Sequence, residues 1–195
     1  MMRAAILSLG VVFLAGAVQA TELPPGDPQA GRKQAGACRT CHGLDGFAKI
    51  PIAPHIGGEP AAYIEHQLRA FREGTRVHEM MSVVAKNLDD GQIADLAAWY
   101  AGHEVTVTLT RDESEAPEAC VSCHGVDGIA MIEDAPNLAG ETSIYTDTQL
   151  KAFRNGKRTH EIMSEVAADM SDADIRAAAD WYASVKIEIA PQPKE

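Results

Sequence analysis

The sequence predicts an all-α protein built from two tandem copies of one unit, and three observations lead there. Sliding the chain along itself until Cys38 meets Cys120 superimposes its halves without a gap. Apolar side chains recur at helical spacing in each half. No set of alternating strands accompanies them.

The chain begins with a segment that is not read as part of the fold. Arg3 is a short positive region, Ala4 to Ala17 is mostly apolar, and Val18-Gln19-Ala20 is a small-x-small site. This pattern predicts a secretory signal peptide over residues 1–20, cleaved after Ala20, rather than an uncleaved anchor. The mature chain would begin at Thr21. No later stretch approaches the roughly 18 apolar residues of a membrane helix.

Each unit then reads as three helices and two loops. Pro28 to Ala37 is a short helix, with Asp27 as N-cap and Pro28 at the first helical position. A loop containing glycine and proline follows, Gly43 to Gly58. Pro60 to Glu73 is the second helix, with Tyr63, Gln67, Leu68 and Phe71 at helical spacing and Gly74 as its stop; Thr142 to Asn155 repeats it before Gly156. A loop through Met81, or Met163 in the second copy, leads to the last helix. That helix starts near Asp89–Asp90 and again at Ser171, where Ser171 and Asp174 form a capping-box pattern.

The repeat sets the boundaries: a first unit over 21–102, a connection over 103–117, a second unit over 118–186 and a tail over 187–195. The β-branched run Val105 to Thr110 is read as an extended linker, because a lone strand has no evident partner.

All four cysteines fall in two pentapeptides, Cys38-Arg-Thr-Cys41-His42 and Cys120-Val-Ser-Cys123-His124. C-x-x-C-H is the attachment signature of c-type haem. Two thiols placed so can form thioethers with the two porphyrin vinyl groups, and the adjacent histidine can reach the iron. Cys38, Cys41, Cys120 and Cys123 are therefore the candidate attachment points for two covalent haem c groups, with His42 and His124 as proximal ligands. A four-cysteine zinc site would place its pairs far closer in sequence than Cys41 and Cys120 and has no need of the adjacent histidines. A thioredoxin-like pair would need a βαβ context, which the sequence does not show, and two structural disulfides are the alternative open to an exported chain in an oxidising compartment.

An electron-carrying haem is usually closed by a second protein ligand, commonly Met. Met81 and Met163 coincide under the repeat, each at the same offset from its histidine, whereas Met80, Met131 and Met170 fall on Ile162, Lys49 and Leu88. Met81 and Met163 are the candidates, with Met80 in reserve. His78 and His160, just upstream, compete as bis-histidine ligands or stand as supporting or surface groups. The proximal histidine should donate its other ring N–H to a carbonyl, and Pro54 and Pro136, again at one shared offset, can supply it. Tyr63 and Tyr145, Arg72 and Arg154, and Trp99 and Trp181 could line the haem or hold its propionates; a structural role suits the tryptophans and tyrosines equally. His55, His66 and His103 have no histidine counterpart and read as ordinary.

The formal charge is −11 and uneven: Thr21–Gly102 holds 8 basic and 10 acidic residues, and His103–Glu195 holds 8 basic and 18 acidic. This excludes nucleic acid as a partner. It suits a solvated acidic surface, or a dipole that orients the molecule on a redox partner.

On these motifs, the Pro54, Pro136, Met81 and Met163 segments, and endings such as Asp90-Gly-Gln-Ile-Ala-Asp-Leu-Ala-Ala-Trp-Tyr, the chain resembles the two-domain dihaem cytochromes c, most closely the cytochrome c4 family. The resemblance covers nearly the whole mature chain. It implies two class I cytochrome c domains, each wrapped around a haem, with axial ligands carried over onto His42, Met81, His124 and Met163. It also implies a soluble or loosely membrane-associated periplasmic electron carrier serving redox protein partners: a respiratory complex, a haem–copper oxidase or a dehydrogenase. The His78-Glu79 and His160-Glu161 pairs depart from the family pattern. The cytochrome subunit of a flavocytochrome c sulfide dehydrogenase has a similar plan and is the alternative. A dihaem peroxidase would need an open iron site, against which the symmetric methionines argue.

Overall fold

The computed structural model describes residues 25–192, so the predicted signal peptide lies outside the described residues. Nine helices and one two-stranded sheet make up the regular structure within that range. In the first half, α1 (Pro28–Gln34) runs through a 3-10 turn into α2 (Arg39–His42), and α3 (Ala61–Glu73), α4 (Met81–Ala85) and α5 (Asp90–Ala101) follow. The second half repeats this as α6 (Glu118–His124), α7 (Ser143–Arg154), α8 (Glu161–Ala168) and α9 (Asp172–Ser184).

Local sequence explains the helix ends. The Asp27 carboxylate accepts from the Gln29 and Ala30 amides. Asp89 with Gln92, and Ser171 with Asp174, close full capping boxes. Helix α5 buries Ile93, Leu96, Ala97, Trp99 and Tyr100, and α9 buries Ile175, Ala178, Ala179, Trp181 and Tyr182. These two C-terminal helices are the centre of each half.

Two expectations change. The segments carrying Met81 and Met163 are helical rather than loops: Met81 opens α4, and Met163 lies in the first turn of α8. The reason is local, because His78 Nδ1 accepts from the Met80 and Met81 amides, and His160 Nδ1 from the Met163 amide, each at 3.3 Å. Each histidine thus satisfies amides that the first helical turn leaves open.

The run read as a linker is also not lone. Val105–Thr108 (β1) pairs antiparallel with Lys186–Ile189 (β2), a segment read mostly as tail. Val105 faces Ile189, and Val107 faces Ile187. Gln192 continues the attachment by donating to the Trp99 carbonyl at 2.8 Å. Under the shift that aligns the two halves, Val105 falls on Ile187 and Val107 on Ile189. The strands are copies of one another that meet across a pseudo-twofold axis.

Candidate functional site

Each C-x-x-C-H motif occupies a single helical turn. Residues three apart share a face, so Cys38 and Cys41, and Cys120 and Cys123, present paired sulfurs, all half-buried and none in a disulfide. The histidine closes the turn and is buried in both halves, with 8% exposure for His42 and 6% for His124. Gly43 and Gly125 then take the left-handed region, with φ of 76° and 73°. A Cβ there would lie 2.4 Å from the Phe47 or Ile129 carbonyl oxygen. Only glycine lets the chain turn back beneath the histidine.

His42 Nδ1 and His124 Nδ1 each lie 2.9 Å from a carbonyl oxygen, that of Pro54 and of Pro136. A carbonyl only accepts, so Nδ1 carries the hydrogen and Nε2 keeps its lone pair for a metal. Burial pushes both imidazoles below their usual pKa, which favours this neutral form.

The tryptophans and tyrosines fasten the turn to the last helix. Trp99 Nε1 donates to the Leu44 carbonyl at 2.9 Å and Trp181 Nε1 to Val126 at 3.0 Å. The Tyr100 and Tyr182 hydroxyls donate to the Gly43 and Gly125 carbonyls at 3.4 and 3.1 Å. The indoles are 4% and 1% exposed, so of the two roles open in the sequence they fill the structural one.

Arg72 and Arg154 hold the start of the last helix in each half. Arg72 donates to the Leu88 carbonyl at 3.1 Å and pairs with Asp90; Arg154 donates to Met170 at 2.8 Å and pairs with Asp172. Tyr63 and Tyr145 sit between the halves, where they receive Arg158 and Arg76. His160 has both ring nitrogens engaged, one on the Met163 amide and the other 3.2 Å from Asp134.

The surroundings of these donors fit a porphyrin. Met163 and Cys120 pack against the same apolar cluster of Leu150, Ile175 and Ala178. Cys38 packs against the cluster that holds Ile64, Leu96 and Trp99. Burial pushes the Cys38 and Cys120 thiols above their usual pKa, so each pocket suits a neutral sulfur, as a thioether is, rather than a thiolate. Large apolar side chains lie exposed beside the methionines, among them Val77, Met80 and Val83 in the first half and Ile162 in the second. Among the described residues no three His, Cys, Asp or Glu side chains gather as a separate metal site.

The seam between the halves is not evident from sequence. The His55 amide donates to Glu141 Oε1 at 2.7 Å, and His55 Nε2 donates to the Gly140 carbonyl at 3.2 Å. The Asn137 amide donates to Glu59 Oε2, and Asn137 Nδ2 to the Gly58 carbonyl, both at 2.9 Å. His55, read as ordinary, is the repeat partner of Asn137 and makes the same bonds. Gly58 and Gly140 have no room for a side chain, since a Cβ would come within 2.1 Å of Val105 Cγ2 and 2.3 Å of Ile187 Cγ2. The strand pair therefore lies directly over the Gly58-Glu59 and Gly140-Glu141 dipeptides. The signal available in the sequence is their retention in both copies.

Two covalent haem c groups, one per half, fit this donor set, and the class that fold and site define is a dihaem electron-transfer cytochrome. Residues 112–181 match the family model described as cytochrome c oxidase, cbb3-type, subunit III. The chain is 30% identical to cytochrome c4 of Pseudomonas aeruginosa over 90% of this chain and 94% of the relative. It is 31% identical to the thiosulfate dehydrogenase electron acceptor of Thiomonas intermedia, over 92% of this chain and 89% of the relative. The fold overlays reduced recombinant cytochrome c4 from Pseudomonas stutzeri with a TM-score of 0.73 at 27% identity, covering 83% of this chain and all of that one. The chain belongs to the cytochrome c4 family.

Proposed function

We propose that this cytochrome is a periplasmic carrier, exported by residues 1–20 with cleavage after Ala20, that takes electrons from respiratory donors and passes them to a terminal acceptor such as a haem–copper oxidase. Its two haem domains span residues 21–102 and 118–186. Thioethers form at Cys38, Cys41, Cys120 and Cys123, and the iron ligands are His42 with Met81 and His124 with Met163. The observation that carries this reading is the duplicated histidine geometry, each Nδ1 held by a proline carbonyl at 2.9 Å and each Nε2 left to bind. When bound, the haem iron supplies the chemistry, cycling between Fe(II) and Fe(III) as one electron arrives and leaves.

The chain's residues do the rest. The proline carbonyls fix tautomer and ring orientation. His78 and His160 hold the helix starts that present Met81 and Met163. Met81 and Met163 would each give their iron a second protein ligand and leave no position for a substrate, which supports reading the protein as an electron carrier rather than an enzyme. Met81→Ala and Met163→Ala are each expected to remove about half of the Fe–Met absorption band and to let carbon monoxide bind one haem in the reduced protein. A wild-type protein lacking that band in both halves would overturn the His/Met assignment.

A second reading, acceptor for a dehydrogenase, is favoured by the likeness to the Thiomonas intermedia thiosulfate dehydrogenase electron acceptor. Stopped-flow reduction by such a dehydrogenase, set against oxidation by a haem–copper oxidase, separates the two.

A further inference from the structure

The two buried glutamates at the seam are wired to the haem sites in a crossed pattern. One peptide unit links Pro54 to His55: its carbonyl accepts from His42 and its N–H donates to Glu141 of the other half. The equivalent unit links Pro136 to Asn137: its carbonyl accepts from His124 and its N–H donates to Glu59 of the first half. A single polarisable amide thus separates each proximal histidine from a carboxyl of the opposite domain.

Glu59 and Glu141 are 4% and 2% exposed. No arginine or lysine is paired with either among the described residues, and Glu141 Oε2 has no hydrogen-bond partner there. Buried carboxyls without a cation are unusual and call for a reason. The groups that face the pair are the two carboxyls themselves, the His55 ring, and Tyr145, which Tyr63, Arg76 and Arg158 surround. The strand pair presents apolar Val105 and Ile187.

We propose that Glu59 and Glu141 form a shared tuning pair, in which the ionisation of each carboxyl sets the potential of the haem in the opposite domain and so couples the two sites. They are positioning residues acting through the Pro54–His55 and Pro136–Asn137 peptides, and this role rests on His42 and His124 being the proximal ligands. An ionised carboxylate draws on the peptide N–H, makes the proline carbonyl a stronger acceptor and increases the electron density of the imidazole. That favours Fe(III), as does the negative charge itself. A protonated pair favours Fe(II). When an electron enters from the redox partner, the pair takes up part of a proton from solvent; when the electron leaves, that proton is returned. Burial pushes both carboxyls up, Glu59 to about 8 against the Asn137 amide that holds it down, and the neighbouring Glu59 pushes Glu141 further, so the exchange at Glu59 falls near neutral pH.

The test is a spectroelectrochemical titration of the holoprotein across about pH 5 to 9, for wild type, Glu59→Gln, Glu141→Gln and the double variant. Hyperfine-shifted ligand resonances identify each half, told apart by the set that Met163→His removes. Both potentials are expected to fall with rising pH in wild type, less steeply in each single variant and not through this pair in the double variant. Glu59→Gln should shift the second-half haem more, and Glu141→Gln the first. Redox-difference infrared spectra of wild type should show a change in a protonated carboxyl stretch, a readout that needs no variant. Unchanged slopes in the variants, larger shifts in the same half as the substitution, or no carboxyl change in wild type would each overturn the role. The wild-type Fe–Met band, recorded in the same titration, tests the ligand assignment separately.

Discussion

Arg158 of the second half donates to the Tyr63 hydroxyl of the first at 3.1 Å, and Arg76 of the first reaches the Tyr145 hydroxyl of the second at 3.5 Å. Both guanidinium groups also bond Gln67 and Gln149, so each glutamine oxygen is shared between one arginine from each half. Phe71 and Phe153 lie under the two arginines, 4.5 Å from guanidinium carbon to ring centre. A forked, flat cation that both bonds two acceptors and stacks on a ring suits arginine and not lysine.

Replacing both arginines with alanine is expected to loosen the halves from one another. Hydrogen bonds to charged groups contribute about 1.5–3 kcal/mol each in favourable settings, and partial exposure brings the loss for the double variant to roughly 2–4 kcal/mol. Calorimetry of the holoprotein should show one transition becoming two. A single, unshifted transition would show that the strand pair and the Glu59–Glu141 seam hold the domains without this network.

His55 should tolerate asparagine and reject leucine. Its Nδ1 accepts from the Ala48 amide at 3.0 Å while Nε2 donates to Gly140, and Asn137 reproduces both with its amide oxygen on Ala130 and nitrogen on Gly58. The ring is thus a neutral stand-in for a carboxamide, and burial holds its pKa down. His55→Asn is expected to cost under ~1 kcal/mol, and His55→Leu about 2–3 kcal/mol, because it strands a buried amide and a buried carbonyl. Denaturant midpoints of the two variants decide it, and equal losses would refute the equivalence.

The repeat made the two histidine turns legible, down to the proline carbonyls, because a covalent motif and a rigid loop at fixed offset leave little geometric freedom. It did not reveal the pairing of Val105–Thr108 with Lys186–Ile189. Those strands are far apart in sequence, each is too short to signal itself, and their likeness is one of alternation rather than identity. The Gly58-Glu59 and Gly140-Glu141 dipeptides were visible as retained positions, yet nothing local shows that an acidic side chain will be buried against another domain. Helix α4 was hidden for a similar reason, since a histidine cap shortly ahead of a methionine resembles a competing iron ligand. The halves are also not true copies at their starts. Gly31 falls on Glu113 under the shift, and the second half has only a 3-10 turn, Glu113–Glu115, where the first has α1.

That asymmetry makes Gly31 a half-specific probe. Alanine in an exposed helix is favoured over glycine by up to about 1 kcal/mol. At Gly31, however, a Cβ would lie 2.0 Å from the Asp95 carbonyl oxygen and 2.8 Å from Trp99 Cβ. Helices α1 and α5 would have to separate, and backbone cannot move aside as a side chain can. Gly31→Ala is expected to destabilise the first half by roughly 1–3 kcal/mol, with the second-half haem spectrum unaltered. A variant as stable as wild type would mean that the crossing is looser than 2.0 Å implies.

Glu59 makes stability itself depend on pH, with a sign opposite to that of a salt-bridged carboxylate. Burial raises its pKa from 4.5 in the unfolded chain to about 8 in the folded protein. Between those values the folded protein holds a proton that the unfolded chain has released, so folding takes up a proton and stability falls as pH rises. The contribution is full below about pH 4.5 and lost as pH passes about 8. One proton corresponds to at most ~1.4 kcal/mol per pH unit. Asp90 and Asp172, held low by Arg72 and Arg154, act in the other direction and weaken the fold only in acid. Urea denaturation of the fully reduced holoprotein should therefore show a falling alkaline limb. Glu59→Gln should make that limb shallower and leave the acid limb in place, while Glu141 retains its own share. An alkaline limb of unchanged slope in Glu59→Gln would show that the carboxyl is already ionised at the seam.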